Sequence, residues 1–218
     1  MKIKACIFDL DGTLLYTLTS IAYAGNAVLM EMGYPAEPED AYRYYCGDGA
    51  DKLVERILEK NDDRDPDRYE AACRLFREKL KGHASDGVRI YDGMKETLES
   101  LKAKGLKLAV CSNKPENSVP EVIYEMFGPD LFDAMLGQSE RIPRKPAPDM
   151  ALEAARRLEA DPADCLYIGD TATDMRCGSG AGMITLGALW GYRDREELIG
   201  GGAAHLIDSP SEILKYLV

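Results

Sequence analysis

The chain has 218 residues and a mass of 24.1 kDa, room for one large domain or two modest ones, and a chain of this length buries on the order of 70% of its unfolded surface. Hydrophobic residues make up 45% and charged residues 30%, the balance of an ordinary globular protein. With 27 Lys and Arg against 38 Asp and Glu, the net charge of −11 argues against a basic nucleic-acid surface, while small anionic substrates stay open because a local site can be positive on an acidic protein.

From Met1 to Leu10 the chain has Lys2 and Lys4 and only a short apolar run before Asp9 and Asp11. That pattern fits neither a signal peptide nor a span of ~20 apolar residues, so no membrane partner is expected. Lys2–Phe8 has the length and composition of a strand and stops at Asp9-Leu10-Asp11-Gly12-Thr13. From Leu15 to Asp86 no convincing strand follows. Ser20 is a candidate N-cap for a helix carrying Ile21, Ala24, Val28 and Leu29, ended near Gly33 and Pro35. A second helix passes through Tyr42 and Tyr45 to a break at Gly47-Asp48-Gly49. A third, capped by Asp51, carries Leu53, Val54, Ile57 and Leu58, and a fourth opens at Asp65-Pro66 and stops at Gly82. Residues 16–86 thus read as a small helical module inserted after the first strand, with 1–15 and 87–218 forming the remaining domain.

From Gly87 onward strand and helix alternate. Helices are expected at about 92–104, through Val119, Val122, Ile123 and Met126, at 148–159, around 174–181, near 194–198 and at 210–217. Strands are expected at 106–111, 134–136, 165–168, 183–186 and 204–207. Such alternation predicts an α/β fold, a three-layer Rossmann-like parallel sheet covered on both faces. The six cysteines, Cys6, Cys46, Cys73, Cys111, Cys165 and Cys177, show neither CxxC pairs nor metal-finger spacing and read as reduced thiols of a cytoplasmic protein. Cys177 is a candidate for an accessible one. Trp190 reads as loop packing or a contact surface. His83 and His205 have no sequence partner that suggests a metal or a triad.

Ligands of an open parallel sheet bind beyond the carboxyl ends of its strands. There the first strand delivers Asp9 and Asp11, the second Ser112 and Asn113, and a later one Gly169 and Asp170. Side chains two apart on an extended strand lean to one side, so Asp9 and Asp11 can face one reacting group, one as nucleophile and the other as proton carrier. Gly12 lets the backbone turn and offers its N–H to an anion beside Thr13, although Asp-Gly is also a common solvated turn. With Asp170 and Asp174, four acids converge on one edge and call for a hard cation, for which Mg²⁺ is suited, although Thr173 or Asp174 can equally serve as a helix cap. Lys145, framed by prolines in Arg144-Lys145-Pro146-Ala147-Pro148, can orient a nucleophile and neutralise a phosphoryl group. Ser112 and the Asn113 amide can donate to phosphoryl oxygens, or cap a helix ahead of Pro115.

Taken in order, Phe8–Thr13, Val110–Pro115, Arg144–Asp149 and Ile168–Met175 resemble the four motifs of the haloacid dehalogenase superfamily, and the helical insert resembles its smaller cap. The resemblance implies that Asp9 attacks phosphorus and that Asp11 protonates the leaving oxygen and then activates water. It implies that Ser112 and Lys145 grip the phosphoryl group, and that Asp9, the Asp11 carbonyl and Asp170 hold Mg²⁺ with Asp174 positioning its shell or Lys145. Within the superfamily the chain is most similar to phosphoglycolate phosphatases, through Ala24–Leu29, Gly47–Arg56, Tyr91-Asp92-Gly93 and Lys145–Pro148. The expected partner is then a small phosphorylated metabolite, with Gly47, Asp48 and Gly49 contacting its far end. Arg43, Lys52 and Arg56 are candidates for its carboxylate. Relatives commonly carry Asp where this chain has Tyr16, near the expected hinge. A β-phosphoglucomutase-like phosphomutase, a pyrophosphatase or a nucleotidase would share the core motifs, and a non-catalytic binding module stands as the alternative from another class.

Overall fold

The computed structural model describes residues 2–217. In chain order the elements are β1 (Ala5–Phe8), β2 (Leu15–Tyr16), α1 (Leu18–Glu31), α2 (Tyr42–Tyr45), α3 (Ala50–Glu59), α4 (Pro66–Gly82), β3 (Arg89–Ile90), α5 (Met94–Ala103), β4 (Lys107–Pro115), α6 (Ser118–Phe127), β5 (Ala134–Gln138), α7 (Asp149–Arg157), β6 (Cys165–Gly169), α8 (Ala172–Gly180), β7 (Ile184–Ala188), α9 (Arg195–Gly201) and β8 (His205–Ile207). Short 3-10 turns occupy Glu39–Ala41, Pro162–Asp164 and Pro210–Tyr216. The chain divides into two compact units, one of Met1–Tyr16 with Ile90–Val218 and the other of Thr17–Arg89.

The first unit is built on a six-stranded parallel sheet in the order β5-β4-β1-β6-β7-β8. Because both of its faces are covered, its strands are continuous apolar runs rather than alternating ones. Phe8, the last residue of β1, stands opposite Val110 of β4 and Ile168 of β6, so the carboxyl end of β1 lies level with those residues while β4 runs on beyond it. On one face Ala5, Ile7, Ala109, Cys111, Cys165 and Tyr167 pack with Met150, Ala151, Ala154 and Ala155 of α7 and Cys177 of α8. The small residues on both sides let α7 approach the sheet closely. Alternation sends Cys6, Phe8, Leu108 and Val110 to the other face, where α5 and α6 meet β4 and where Phe8 packs edge-on against Phe132 at 6.5 Å.

The second unit is helical. α3 buries Leu53, Val54, Ile57 and Leu58, and α4, packed against α1 and α3, buries Ala72, Cys73 and Phe76. Buried Tyr42 donates its hydroxyl to Asn26 Oδ1 at 3.0 Å. Among the described residues no helix is long and apolar enough to cross a membrane.

Several local expectations are corrected. α1 begins at Leu18 with Thr17 at its N-cap position, and Ser20, already inside the first turn, donates back to the Thr17 carbonyl at 3.0 Å. Gly49, not Asp51, precedes α3, and Asp51 lies in its first turn. α2 is a single turn. The last segment is 3-10 rather than α. β4 runs on to Pro115, so Ser112 and Asn113 lie within the strand and not beyond it. The pair β2 and β3, each two residues long, was not anticipated, because so short a run has no measurable period.

Asp65 caps α4 as its sequence suggests, accepting from the backbone N–H groups of Asp67 and Arg68 at 2.9 and 3.2 Å. Asp65→Ala removes both bonds and should lower stability by about 1 kcal/mol in chemical denaturation. A variant as stable as the parent would show that Pro66 alone starts the helix.

Candidate active site

Chain order reverses at β1, since β4 and β5 extend the sheet on one side of it and β6, β7 and β8 on the other. Such a reversal opens a crevice at the carboxyl ends of the strands. Asp9, following β1, occupies it between Ser112 of β4 and Asp170 after β6.

Lys145 is the central group. Its side chain is 2% exposed, and Nζ donates to Asp9 Oδ1 at 2.6 Å, to Asp174 Oδ1 at 2.7 Å and to the Cys111 carbonyl at 2.9 Å, which satisfies all three ammonium protons. Burial opposes the charge, but Asp174 and Asp9 outweigh it and hold the pKa above the ordinary lysine value. The loop carrying Lys145 is pinned by Asn113, whose Nδ2 donates to the Lys145 carbonyl at 3.1 Å and whose Oδ1 accepts from the Lys145 N–H at 3.0 Å. The Asn113 side-chain amide is therefore a strut for Lys145. Ser112 is buried, and its Oγ accepts from the Lys114 N–H at 3.1 Å. Asp9 Oδ2 meets no protein donor among the described residues, so one oxygen of this carboxylate is anchored and the other is left for chemistry.

Asp170 is fully buried. Oδ1 accepts from the Thr13 hydroxyl at 3.0 Å and Oδ2 from the Tyr192 N–H at 2.7 Å. A Cβ on Gly191 would lie 2.2 Å from the Asp170 Cβ, and one on Gly12 (φ 91°) would lie 2.3 Å from Oδ2, so both turns need glycine for the carboxylate to fit. Two readings change here. The Gly12 N–H closes its own turn onto the Leu15 carbonyl at 2.8 Å and is not offered to an anion, and Thr13 serves Asp170. The cap of α8 is Thr171, in a reciprocal box with Asp174, rather than Thr173 or Asp174 alone. Trp190 packs the loop, with Nε1 donating to the Thr13 carbonyl at 3.0 Å, and Tyr16 sets its ring edge-on to Tyr91 and Tyr192 at 6.2 and 6.4 Å. Cys177 is buried rather than accessible, as are the other cysteines.

Ligand oxygens of Asp9, Asp170 and Asp174 all lie within 4.8 Å of one another. Three carboxylates against one ammonium leave two negative charges in excess if all are ionised. Arg193 adds its field to Asp170 but is paired with Glu197 at 3.0 Å. Burial first, then the neighbouring acids, raises Asp9 well above the usual carboxylate range, and burial and Asp174 push Asp170 up to about 7. An all-oxygen donor set with this surplus fits a hard divalent cation. Both Asp174 oxygens are engaged, by Lys145 and by Thr171, whereas Asp9 keeps a free oxygen.

Asp11 does not share the Asp9 arrangement. Both of its oxygens accept from Lys114 Nζ at 3.0 Å. Lys114, two residues beyond Ser112 on the same strand, has no role in the sequence pattern, and the irregular register of β4 between Cys111 and Pro115 leaves its direction to the fold. In the helical unit Gly47 (φ 108°), Asp48 and Gly49 (φ 92°) lie between α2 and α3, with Asp48 paired to Arg56. Arg43 bonds Asp40 at 3.3 Å and Lys52 bonds Glu55 at 2.7 Å.

The parallel sheet thus presents a buried, lysine-bound aspartate at its reversal point. The description "haloacid dehalogenase-like hydrolase" matches residues 6–188. The chain is 30% identical over 217 residues to a phosphoglycolate phosphatase of Vibrio parahaemolyticus, covering 98% of this chain and 95% of that protein. It is 32% identical over 194 residues to one of Neisseria meningitidis, covering 88% and 83%. A crystal structure described as a predicted phosphoglycolate phosphatase from Haemophilus somnus superimposes with a TM-score of 0.90 at 29% identity, covering 99% and 98% of the two chains. The chain belongs to the haloacid dehalogenase-like hydrolases and is an enzyme of their phosphatase class.

The raised Asp170 pKa has a consequence for stability. Its ordinary value is 3.8, so between about pH 4 and about pH 7 the folded state holds a proton that the unfolded state releases, and stability contributed below that window is lost as pH rises through it. In cation-free protein Asp170→Asn should therefore flatten the fall of Tm between about pH 5 and about pH 8. Added Mg²⁺ should stabilise the parent more at the higher pH, and a parent whose Tm matches the variant's at both pH values would refute the raised pKa.

Proposed function

We propose that the protein is a divalent-cation-dependent phosphatase that hydrolyses 2-phosphoglycolate through a phosphoryl-enzyme on Asp9. The observation that carries this reading is Lys145, which fixes one oxygen of Asp9 and leaves the other unbonded in the crevice, the geometry a nucleophile needs. Asp9 Oδ2 attacks phosphorus as the ester P–O bond breaks, and Asp11 supplies the proton to the departing alcohol oxygen. Asp11 then takes a proton from water as that water attacks phosphorus, the Asp9–phosphorus bond breaks, and phosphate leaves with both carboxyl groups in their starting states. The Ser112 hydroxyl and the Lys145 ammonium are placed to stabilise the phosphoryl oxygens as their charge is redistributed.

Asp9, the Asp11 carbonyl and Asp170 would hold Mg²⁺, with Asp174 keeping Lys145 in place. When bound, the cation offsets the surplus negative charge and lets Asp9 remain ionised beside an anionic substrate. The helical unit is proposed to act as a cap that supplies Gly47, Asp48 and Gly49 to the far end of the substrate. The names borne by relatives that match over almost the whole chain support phosphoglycolate as that substrate.

Phosphate release from 2-phosphoglycolate, sugar phosphates, nucleotides and pyrophosphate, with Mg²⁺ and with a chelator, tests the reading. Mg²⁺-dependent turnover should favour phosphoglycolate by ~100-fold in kcat/KM, about 2.7 kcal/mol, and Asp9→Asn should lower kcat at least about 1000-fold. Release without preference would retain the phosphatase and remove this substrate. Full activity in Asp9→Asn would overturn the mechanism.

A further inference from the structure

An ester of glycolate places a carboxylate close to the bond that breaks. With bond lengths near 1.2–1.5 Å, its oxygens lie about 3 Å from the oxygen that leaves. Any group that protonates the leaving oxygen must therefore sit beside the substrate's carboxylate. In the mechanism proposed above that group is Asp11, which becomes an anion as it gives up its proton, and two carboxylates at such a distance repel unless a cation stands between them.

Lys114 meets that requirement. Two of its N–H groups reach Asp11 Oδ1 and Oδ2 at 3.0 Å each, and its side chain is 13% exposed, sheltered but not closed off from solvent. An ammonium has three donors, and no further acceptor for Lys114 Nζ is found among the described residues. Its backbone N–H is tied to Ser112 Oγ, the group assigned to the phosphoryl end, so one residue spans the phosphoryl and leaving-group sides of the reacting bond. The cations considered earlier for the carboxylate have partners inside the helical unit: Arg43 with Asp40, Lys52 with Glu55, and Arg56 with Asp48 and the Tyr45 carbonyl.

We infer that Lys114 determines specificity by giving its third N–H to an anionic group next to the leaving oxygen while the other two hold Asp11. The selected substrates are phosphomonoesters whose alcohol bears a carboxylate on the adjacent carbon. This inference rests on the assignment of Asp11 to the leaving oxygen.

The test compares kcat/KM for 2-phosphoglycolate with that for 2-hydroxyethyl phosphate, which has the same skeleton but a hydroxymethyl group in place of the carboxylate. Parent protein, Lys114→Met, Lys114→Gln and Lys114→Arg are assayed with Mg²⁺, and each variant's fold is checked by circular dichroism. A hydrogen bond to a charged group is worth on the order of 10- to 100-fold in affinity. The ratio of the two kcat/KM values should therefore fall about 30-fold in Lys114→Met and Lys114→Gln, chiefly through KM for phosphoglycolate, and largely recover in Lys114→Arg. A loss that is equal for both esters, leaving the ratio intact, would reduce Lys114 to a support for Asp11 and overturn the inference alone. A parent protein that handles both esters alike would overturn the phosphoglycolate reading and this inference with it.

Discussion

The candidate active site depends on keeping one buried ammonium satisfied. Lys145 gives all three protons away, two to carboxylates and one to a backbone carbonyl, and it does so at 2% exposure, where an unpaired charge would cost several kcal/mol. Its partners come from three separate places: Asp9 beyond β1, the Cys111 carbonyl of β4 and Asp174 in the first turn of α8. Each can reach Nζ only because β4, β1 and β6 are adjacent and paired in register. Removing one partner of such a buried group costs about 3–5 kcal/mol, so the arrangement reinforces itself. Asn113, gripping the Lys145 backbone from both sides, keeps the loop from drifting away from the ammonium it carries.

The same logic recurs two residues along the chain in a wetter setting. Asp9 and Asp11 are identical side chains, each held by a lysine from another strand or loop, but the Asp9 side chain is 9% exposed and that of Asp11 is 21%. Burial and neighbouring acids raise the Asp9 pKa, so this carboxylate relies on fixed positive charge to be ionised. Asp11 sits nearer water with a single bidentate partner. Two carboxylates in different surroundings can divide nucleophile and proton carrier between them, and here burial separates them rather than residue type. Each of the two aspartates thus has its own lysine, in a site whose carboxylates still outnumber its ammonium groups.

Asp170 is fixed by a different device, the shape of the backbone around it. Gly12 and Gly191 leave it space, the Tyr192 N–H and the Thr13 hydroxyl orient it, and Trp190 secures the Thr13 carbonyl. The Tyr192 ring also packs on Tyr16, so the loop that orients Asp170 leans on the residue that ends β2. This gives Tyr16 a packing role that an acid could not fill.

Much of this was written in local pattern. Apolar runs of strand length, helical spacing of Val, Ile and Leu, and the Asp65-Pro66 start of α4 placed most elements to within a few residues, because period and capping are properties of neighbouring positions. The order of the motifs also placed Asp9, Ser112, Lys145 and Asp170 at one edge of a parallel sheet. Where a donor's partner is set by a local turn, the pattern still misled: Gly12 closes onto Leu15, and Thr171 rather than its neighbours caps α8. The partners of Asn113 and Lys114 lie 32 and 103 positions away, and no local pattern specifies them. The sequence by itself thus determined the alternation of elements and the chemical inventory of the site. Tertiary structure alone decided which lysine serves which aspartate, since that depends on which strands lie side by side and on how much water each carboxylate keeps.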